Sequence, residues 1–125
     1  MKKFILYHFP AIVYAVAIIM LSSIPGVRLP ELGLLRADKL LHFLEYALFA
    51  VLIFRSFSEL LKRHGFRYVI ISSFSFIMIF AILDEFYQGY IPGRDSDAAD
   101  ALLDVLGATL ILLLLWLRRR KEITE

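Results

Sequence analysis

Three groups of ionisable residues stand at helical spacings in an otherwise apolar chain. Asp38, His42, Glu45 and Tyr46 fall at i, i+4, i+7 and i+8, one stripe of a helix, with Lys39 next to the first. Asp84, Glu85 and Gln88 lie within about a 100° arc by the same 3.6-residue arithmetic. Asp97, Asp100 and Asp104 recur at i, i+3 and i+7, with Arg94 about a turn before them. A histidine one turn from a carboxylate can be a base and its orienter, and neighbouring carboxylates can poise or share a proton. Arg94 with Lys39 can hold a phosphate or a carboxylate. Ser22 and Ser23 add hydroxyl donors near the same end. The chain has no cysteine, nucleophile elbow, HExxH zinc site or phosphate-binding loop. The chemistry left open is hydrolysis or group transfer by an activated water or substrate hydroxyl, or binding with no reaction.

The elements that must position these groups are membrane-spanning helices. Of 125 residues, 60% are hydrophobic and 21% charged. A soluble domain carries about 45–50% apolar and 25% charged residues. A formal charge of +2 is too small for a nucleic-acid binder, and zero cysteines exclude a disulfide scaffold. Phe4 to Val27 contains no Asp, Glu, Lys or Arg. That run exceeds the ~20 residues that span a hydrocarbon core, and is too long for the apolar region of a cleaved signal peptide. The second segment, Asp38 to Phe57, is interrupted by His42, Glu45 and Arg55. The third, Tyr68 to Leu83, runs into Asp84-Glu85. The fourth, Val105 to Leu117, must extend back through Asp104 and Asp100 to reach across. Phe74–Leu83 and Leu110–Trp116 lack the polar face that a helix of a soluble bundle needs. The expectation is all-α: an integral membrane four-helix bundle forming one domain over residues 1–125, with spans near 4–24, 38–57, 67–88 and 96–117.

Charge then orients the bundle. Lys2, Lys3, Arg55, Lys62, Arg63, Arg67, Arg118, Arg119, Arg120 and Lys121 fall at one end, and only Arg28, Arg36, Lys39 and Arg94 at the other. The positive-inside rule puts both termini in the cytoplasm, an N-in/C-in topology. Nine of the twelve acids fall in the outer half, a bias that this rule does not produce. Glu45 and Asp104 each lie nine residues inside a helix end, about 13 Å at 1.5 Å per residue. A carboxylate at that depth faces a partner or a water-filled cavity rather than lipid. Pairing with Lys39, Arg94 or His42, shared protons, or a hard divalent cation such as Mg²⁺ or Ca²⁺ would relieve the cluster. Pairing with protonation is the simpler solution, because no spacing matches a dedicated metal loop, and no metal ligand is assigned. Some groups have plainer roles. Asp38, Asp95 and Asp97 suit helix starts, Trp116 beside three arginines suits an interface, and Gly107-Ala108 lets a neighbouring helix come close.

In series, these pieces resemble the VanZ-like family of bacterial membrane proteins. They are Ser22-Ser23-x-Pro25, Asp38-Lys39-x-x-His42-Phe43-x-x-Tyr46, Asp84-Glu85-x-x-Gln88, Pro92-Gly93-Arg94 and Asp100-x-x-x-Asp104-x-x-Gly107-Ala108. Position 104 is Asp where the family often has Asn. Ile111 stands where a second small residue is common, which weakens the case for a tight helix crossing. The resemblance implies a multi-pass protein of the bacterial cytoplasmic membrane, and the family's name implies a link to resistance against the glycopeptide teicoplanin. With the charge sort it gives a working assignment for a site facing outward. His42, Glu45, Asp84, Glu85 and Asp104 are candidate catalytic groups. Ser22, Ser23, Asp38, Lys39, Tyr46, Gln88, Arg94 and Asp100 are candidate ligand contacts. Three function classes follow: a membrane hydrolase or transferase acting on a lipid-linked substrate, a binding or protective protein for an amphiphile of the cell envelope, and a proton-linked transporter. The expected partners are membrane lipids and a lipid-linked envelope precursor or a glycopeptide. A four-span chain without internal repeats argues against the transporter.

Overall fold

The computed structural model describes residues 1–25, 37–94 and 96–124, with the side chains at 37, 38, 123 and 124 outside that description. A π-helical turn, Phe4–His8, leads directly into α1 (Phe9–Ser22). Then come α2 (Ala37–Leu60), α3 (Phe66–Gln88) and α4 (Ala98–Thr124), with no strand among the described residues. Each helix contains a stretch long and apolar enough to cross a membrane: Phe4–Ser22, Lys39–Leu60, Phe66–Gln88 and Ala98–Glu122. The chain is the all-helical membrane bundle that the apolar runs imply.

The π turn has a local cause. Pro10 has no N–H for the Leu6 carbonyl four residues earlier, and its ring crowds that carbonyl. The ladder widens there, and the Phe9 N–H donates to the Phe4 carbonyl, five residues back. Arg55 Nη2 supplies the missing donor to the Leu6 carbonyl at 3.2 Å, and its guanidinium lies over the Tyr7 ring at 5.6 Å. His8 Nδ1 shares a 2.7 Å hydrogen bond with the buried Ser56 hydroxyl, and Lys3 Nζ donates to Glu59 Oε1 at 3.0 Å. That bond holds the Lys3 ammonium pKa above its ordinary value. The start of the chain is thereby fastened to the end of α2. Trp116 of α4 and Ile70 and Phe74 of α3 line one apolar groove, so the end of α4 lies beside the start of α3. Both chain ends therefore share one end of the bundle, where the basic residues concentrate.

Inward-facing residues change character with depth. On α2 they run His42, Tyr46, Phe49, Ile53 and Ser56, spaced by three or four. On α3 they run Val69, Ser73, Ile77, Ala81, Asp84, Glu85 and Gln88. The middle layer is aromatic: Phe49, fully buried, meets Tyr14, Tyr46, Phe76 and Phe80 with ring centroids 5.0–6.5 Å apart. The buried ionisable groups His42, Asp84, Glu85, Asp100 and Asp104 all lie on one side of this layer. Outward-facing leucines, isoleucines and valines remain exposed, as they do where lipid is the solvent.

The tightest contact is between α2 and α4. A Cβ on Gly107 would overlap the Phe43 carbonyl oxygen, and would lie 3.0 Å from the Phe43 carbonyl carbon and 3.3 Å from the Ala47 nitrogen. The helices thus touch backbone to backbone, and Ile111, partly buried at the core's edge, does not prevent it. One glycine suffices because Ala108 and Leu112, both buried, complete the inward face beyond it. The bundle is asymmetric: α2 touches all three other helices, whereas α1 touches α2 and α3 but not α4 among the described residues. Gly107→Ala is expected to destabilise the protein by about 1–3 kcal/mol, the usual cost of overpacking. Gly89→Ala, whose added Cβ meets its neighbours at 3.4 Å, is expected to change little. Thermal unfolding in detergent, comparing the two variants with the parent, checks this.

Candidate functional site

The Gly107 crossing sets the site. Asp104 lies one turn before Gly107 on α4, and His42 immediately precedes Phe43 on α2. Close approach of the backbones brings His42 Nδ1 to 3.1 Å from Asp104 Oδ1, with both side chains buried. In a low-dielectric interior this bond fixes the imidazole ring on one side. The expectation that Asp104 avoids lipid is met, at 1% exposure.

From α3, Asp84 Oδ2 accepts from the Ser22 hydroxyl at 2.9 Å and from Gln88 Nε2 at 3.1 Å. The Tyr46 hydroxyl reaches the same oxygen at 3.5 Å. Gln88 Nε2 also donates to the Ser22 oxygen at 3.3 Å, so Ser22 ties the end of α1 to α3. Because its proton points at Asp84, Ser22 is arranged as a donor to a carboxylate rather than as a nucleophile. Ser23 turns elsewhere, donating to the Ile19 carbonyl and meeting the Tyr87 hydroxyl at 2.9 Å.

Glu85 and Asp100 serve the start of α4. Glu85 Oε1 accepts from the Asp97 N–H at 2.6 Å. Asp97 in turn accepts from the Ala99 N–H at 2.9 Å, as an N-terminal capping side chain does. Lys39 Nζ lies between Asp97 Oδ2 at 3.0 Å and Asp100 Oδ1 at 2.9 Å. Its charge is paired with these acids, and it does not line the cavity that Arg94 borders. Asp38, together with Arg28, Glu31, Arg36 and Asp95, lies outside the described residues or side chains.

Arg94 follows a turn in which Pro92 presets its φ and Gly93 has a φ of 80°, the left-handed value that a type II turn needs. The Arg94 N–H closes the turn on the Ile91 carbonyl at 3.1 Å. The side chain is thereby sent back over the end of α1, where Nη1 donates to the Leu21 carbonyl at 3.1 Å. A cation at a helix C-terminus also complements the helix dipole.

Between α1 and α2 these groups border an open cavity of about 400 Å³. Tyr14, Leu21 and Ser22 of α1 form one wall, and Leu41, His42, Leu44, Glu45 and Leu48 of α2 form the other. Ile24, Gln88 and Arg94 close the rim at the end of the bundle opposite the two termini. Glu45 is half-buried here, and its carboxylate has no hydrogen-bond partner among the described residues, while its backbone carbonyl accepts from Tyr14. Asp84 Oδ1, Glu85 Oε2 and Asp104 Oδ2 are buried and likewise unpartnered among the described residues. Leaving such a group unmet costs about 1–3 kcal/mol. No three His, Asp or Glu side chains among the described residues gather as a metal ion would require.

Tyr14, Tyr87 and the three leucines of α2 were not among the candidates read from the sequence. No motif points to the tyrosines. The leucines were legible in principle: Leu41, Leu44 and Leu48 form an i, i+3, i+7 stripe one residue from His42 and Glu45. Ser22→Ala is expected to cost about 1–3 kcal/mol in thermal unfolding, because it removes a buried donor from Asp84. Ser23→Ala, which loses only bonds near the surface, should unfold close to the parent.

No curated protein and no solved structure matches this chain. A family model described as VanZ/LLP1 matches residues 3–119, which takes in the first three helices, most of α4 and every group of the cluster. The chain belongs to the VanZ/LLP1 family.

Proposed function

We propose that this VanZ-family membrane protein binds an amphiphile of the bacterial cell envelope in the cavity between α1 and α2. The observation that carries the reading is the composition of that cavity. Half-exposed leucines line the side that faces the membrane, and His42, Glu45, Ser22, Gln88 and Arg94 line the interior and rim. Such a wall suits a molecule with an apolar tail and a hydrogen-bonding head. Glu45 is the contact offered to the head, and the His42–Asp104 pair holds the ring beside it. A lipid-linked envelope precursor has this form, and so does an acyl-tailed glycopeptide such as teicoplanin. Either would connect the site to resistance through sequestration or shielding.

A second reading is catalysis on the same molecule, and one observation favours it. His42 borders the cavity while Asp104 holds its Nδ1, the arrangement of a base and its orienter. His42 would then take a proton from a water or a substrate hydroxyl as that oxygen attacks an ester or phosphoryl centre, and Glu45 in the same wall would give a proton to the oxygen whose bond to that centre breaks. Charge distribution supports a bacterial cytoplasmic membrane with both termini inside and the cavity toward the exterior leaflet.

Two experiments test these readings. Lipids extracted from the purified protein are identified by mass spectrometry for the parent, Glu45→Gln and Asp104→Asn. Binding predicts one amphiphile carried unchanged by the parent and depleted in the variants. Catalysis predicts turnover of that lipid, lost in the variants, and an absence of any enriched amphiphile would refute both. For topology, single cysteines are introduced into a chain that has none. Ser96→Cys should react with an impermeant maleimide on intact cells, and Arg63→Cys only after permeabilisation. The reverse pattern would invert the assignment.

A further inference from the structure

The cavity also carries information about the charge and shape of its ligand, and this inference rests on reading it as an amphiphile site. Two of its groups are unspent. Arg94 has five N–H donors in a planar fork, and among the described residues only its Nη1 bond to the Leu21 carbonyl is engaged. Lys39, the other described cation at this end, is committed to Asp97 and Asp100. Arg94 stands at the rim, so among the described residues the charge at the mouth of the cavity is positive. Deeper in the same wall, Glu45 offers a carboxylate without a hydrogen-bond partner among the described residues, an acceptor that seeks a hydroxyl or amine donor.

The apolar side defines the tail. Leu41, Leu44 and Leu48 stand at i, i+3 and i+7 on α2, and each is about half exposed on the outside of the bundle. They form a single row running down from the rim, and α4 contributes nothing to the cavity. One row matches one chain. It borders the α1–α2 seam, and α1 is the helix packed least extensively against the other helices. Entry is therefore from the side, through the membrane.

We propose that the ligand is a single-chain amphiphile with a phosphate-like anion and an adjacent hydroxyl, as in a monoacylated glycerophosphate. It enters between α1 and α2, sets its anion on Arg94, gives its hydroxyl to Glu45 and lays its chain along Leu41, Leu44 and Leu48. The order from rim to interior follows the order of groups in such a lipid. A bidentate guanidinium–phosphate contact supplies the head-group preference.

Native mass spectrometry of the full chain in non-ionic detergent tests this with three probes. Oleoyl lysophosphatidate has all three features, mono-oleoylglycerol lacks the phosphate, and glycerol 3-phosphate lacks the chain. Lysophosphatidate should bind about tenfold or more tighter than mono-oleoylglycerol, the ratio that one charge-assisted contact gives. Glycerol 3-phosphate should not bind. Arg94→Gln should abolish the difference between the two lipids, while Arg94→Lys should retain part of it. Thermal midpoints confirm that both variants are folded.

Equal affinity for the two lipids in the parent, or an undiminished preference in folded Arg94→Gln, overturns the anion assignment while leaving an amphiphile site. Binding of glycerol 3-phosphate as tight as that of lysophosphatidate overturns the role given to the chain. Binding of neither lipid removes the amphiphile reading itself, and this inference with it.

Discussion

At Gly107 the backbone of α4 comes so near the Phe43 carbonyl of α2 that no side chain fits between them. The consequence is chemical as well as mechanical. One turn from this crossing, a histidine and an aspartate from different helices are brought within hydrogen-bonding distance inside the membrane. Neither group would tolerate hydrocarbon alone, since an intramembrane charge costs at least about 2.5–3.5 kcal/mol. Paired, they close the floor of the polar cluster. Below them, Tyr46 and Phe49 are fully buried and seal the cluster from the basic end.

The rest of the site is built by helix ends looking after one another. Ser22, the last residue of α1, answers Asp84 and Gln88 of α3. Glu85 of α3 answers a backbone N–H just before α4. Arg94 answers the last turn of α1. The last two meet backbone groups at helix termini. Satisfying these ends consumes most of the acids and the Lys39 ammonium. It leaves Glu45, part of Arg94 and three buried carboxylate oxygens without a partner among the described residues. Those leftover groups, bordered by leucines, give the cavity its mixed character.

Much of this was legible beforehand because the membrane allows few solutions. Apolar runs of spanning length gave four helices, and carboxylates nine residues inside a helix end had to face inward. Asp104 does so, and the half-buried Glu45 borders the cavity. The pairings were not legible. Spacing within a helix places side chains on a face but does not say which acid on another helix a cation will reach. Lys39 and Arg94 therefore read alike until the structure separated them. Ile111 in place of a small residue argues against a tight crossing, yet the approach needs only one absent side chain. The π turn at Phe4–His8 could not be inferred from Pro10 alone, since a proline in a first turn is ordinarily accommodated. Its stabiliser, Arg55, lies far along the chain and was counted only as a charge.

The most direct test of the central contact is a double-mutant cycle on His42 and Asp104. Unfolding free energies are measured in detergent for the parent, His42→Ala, Asp104→Ala and the pair. Side chains bonded to each other across the α2–α4 crossing predict strongly non-additive losses, with a coupling of about 1–3 kcal/mol. Losses that add within about 0.5 kcal/mol would show that the two residues do not meet, and the site as described would not exist.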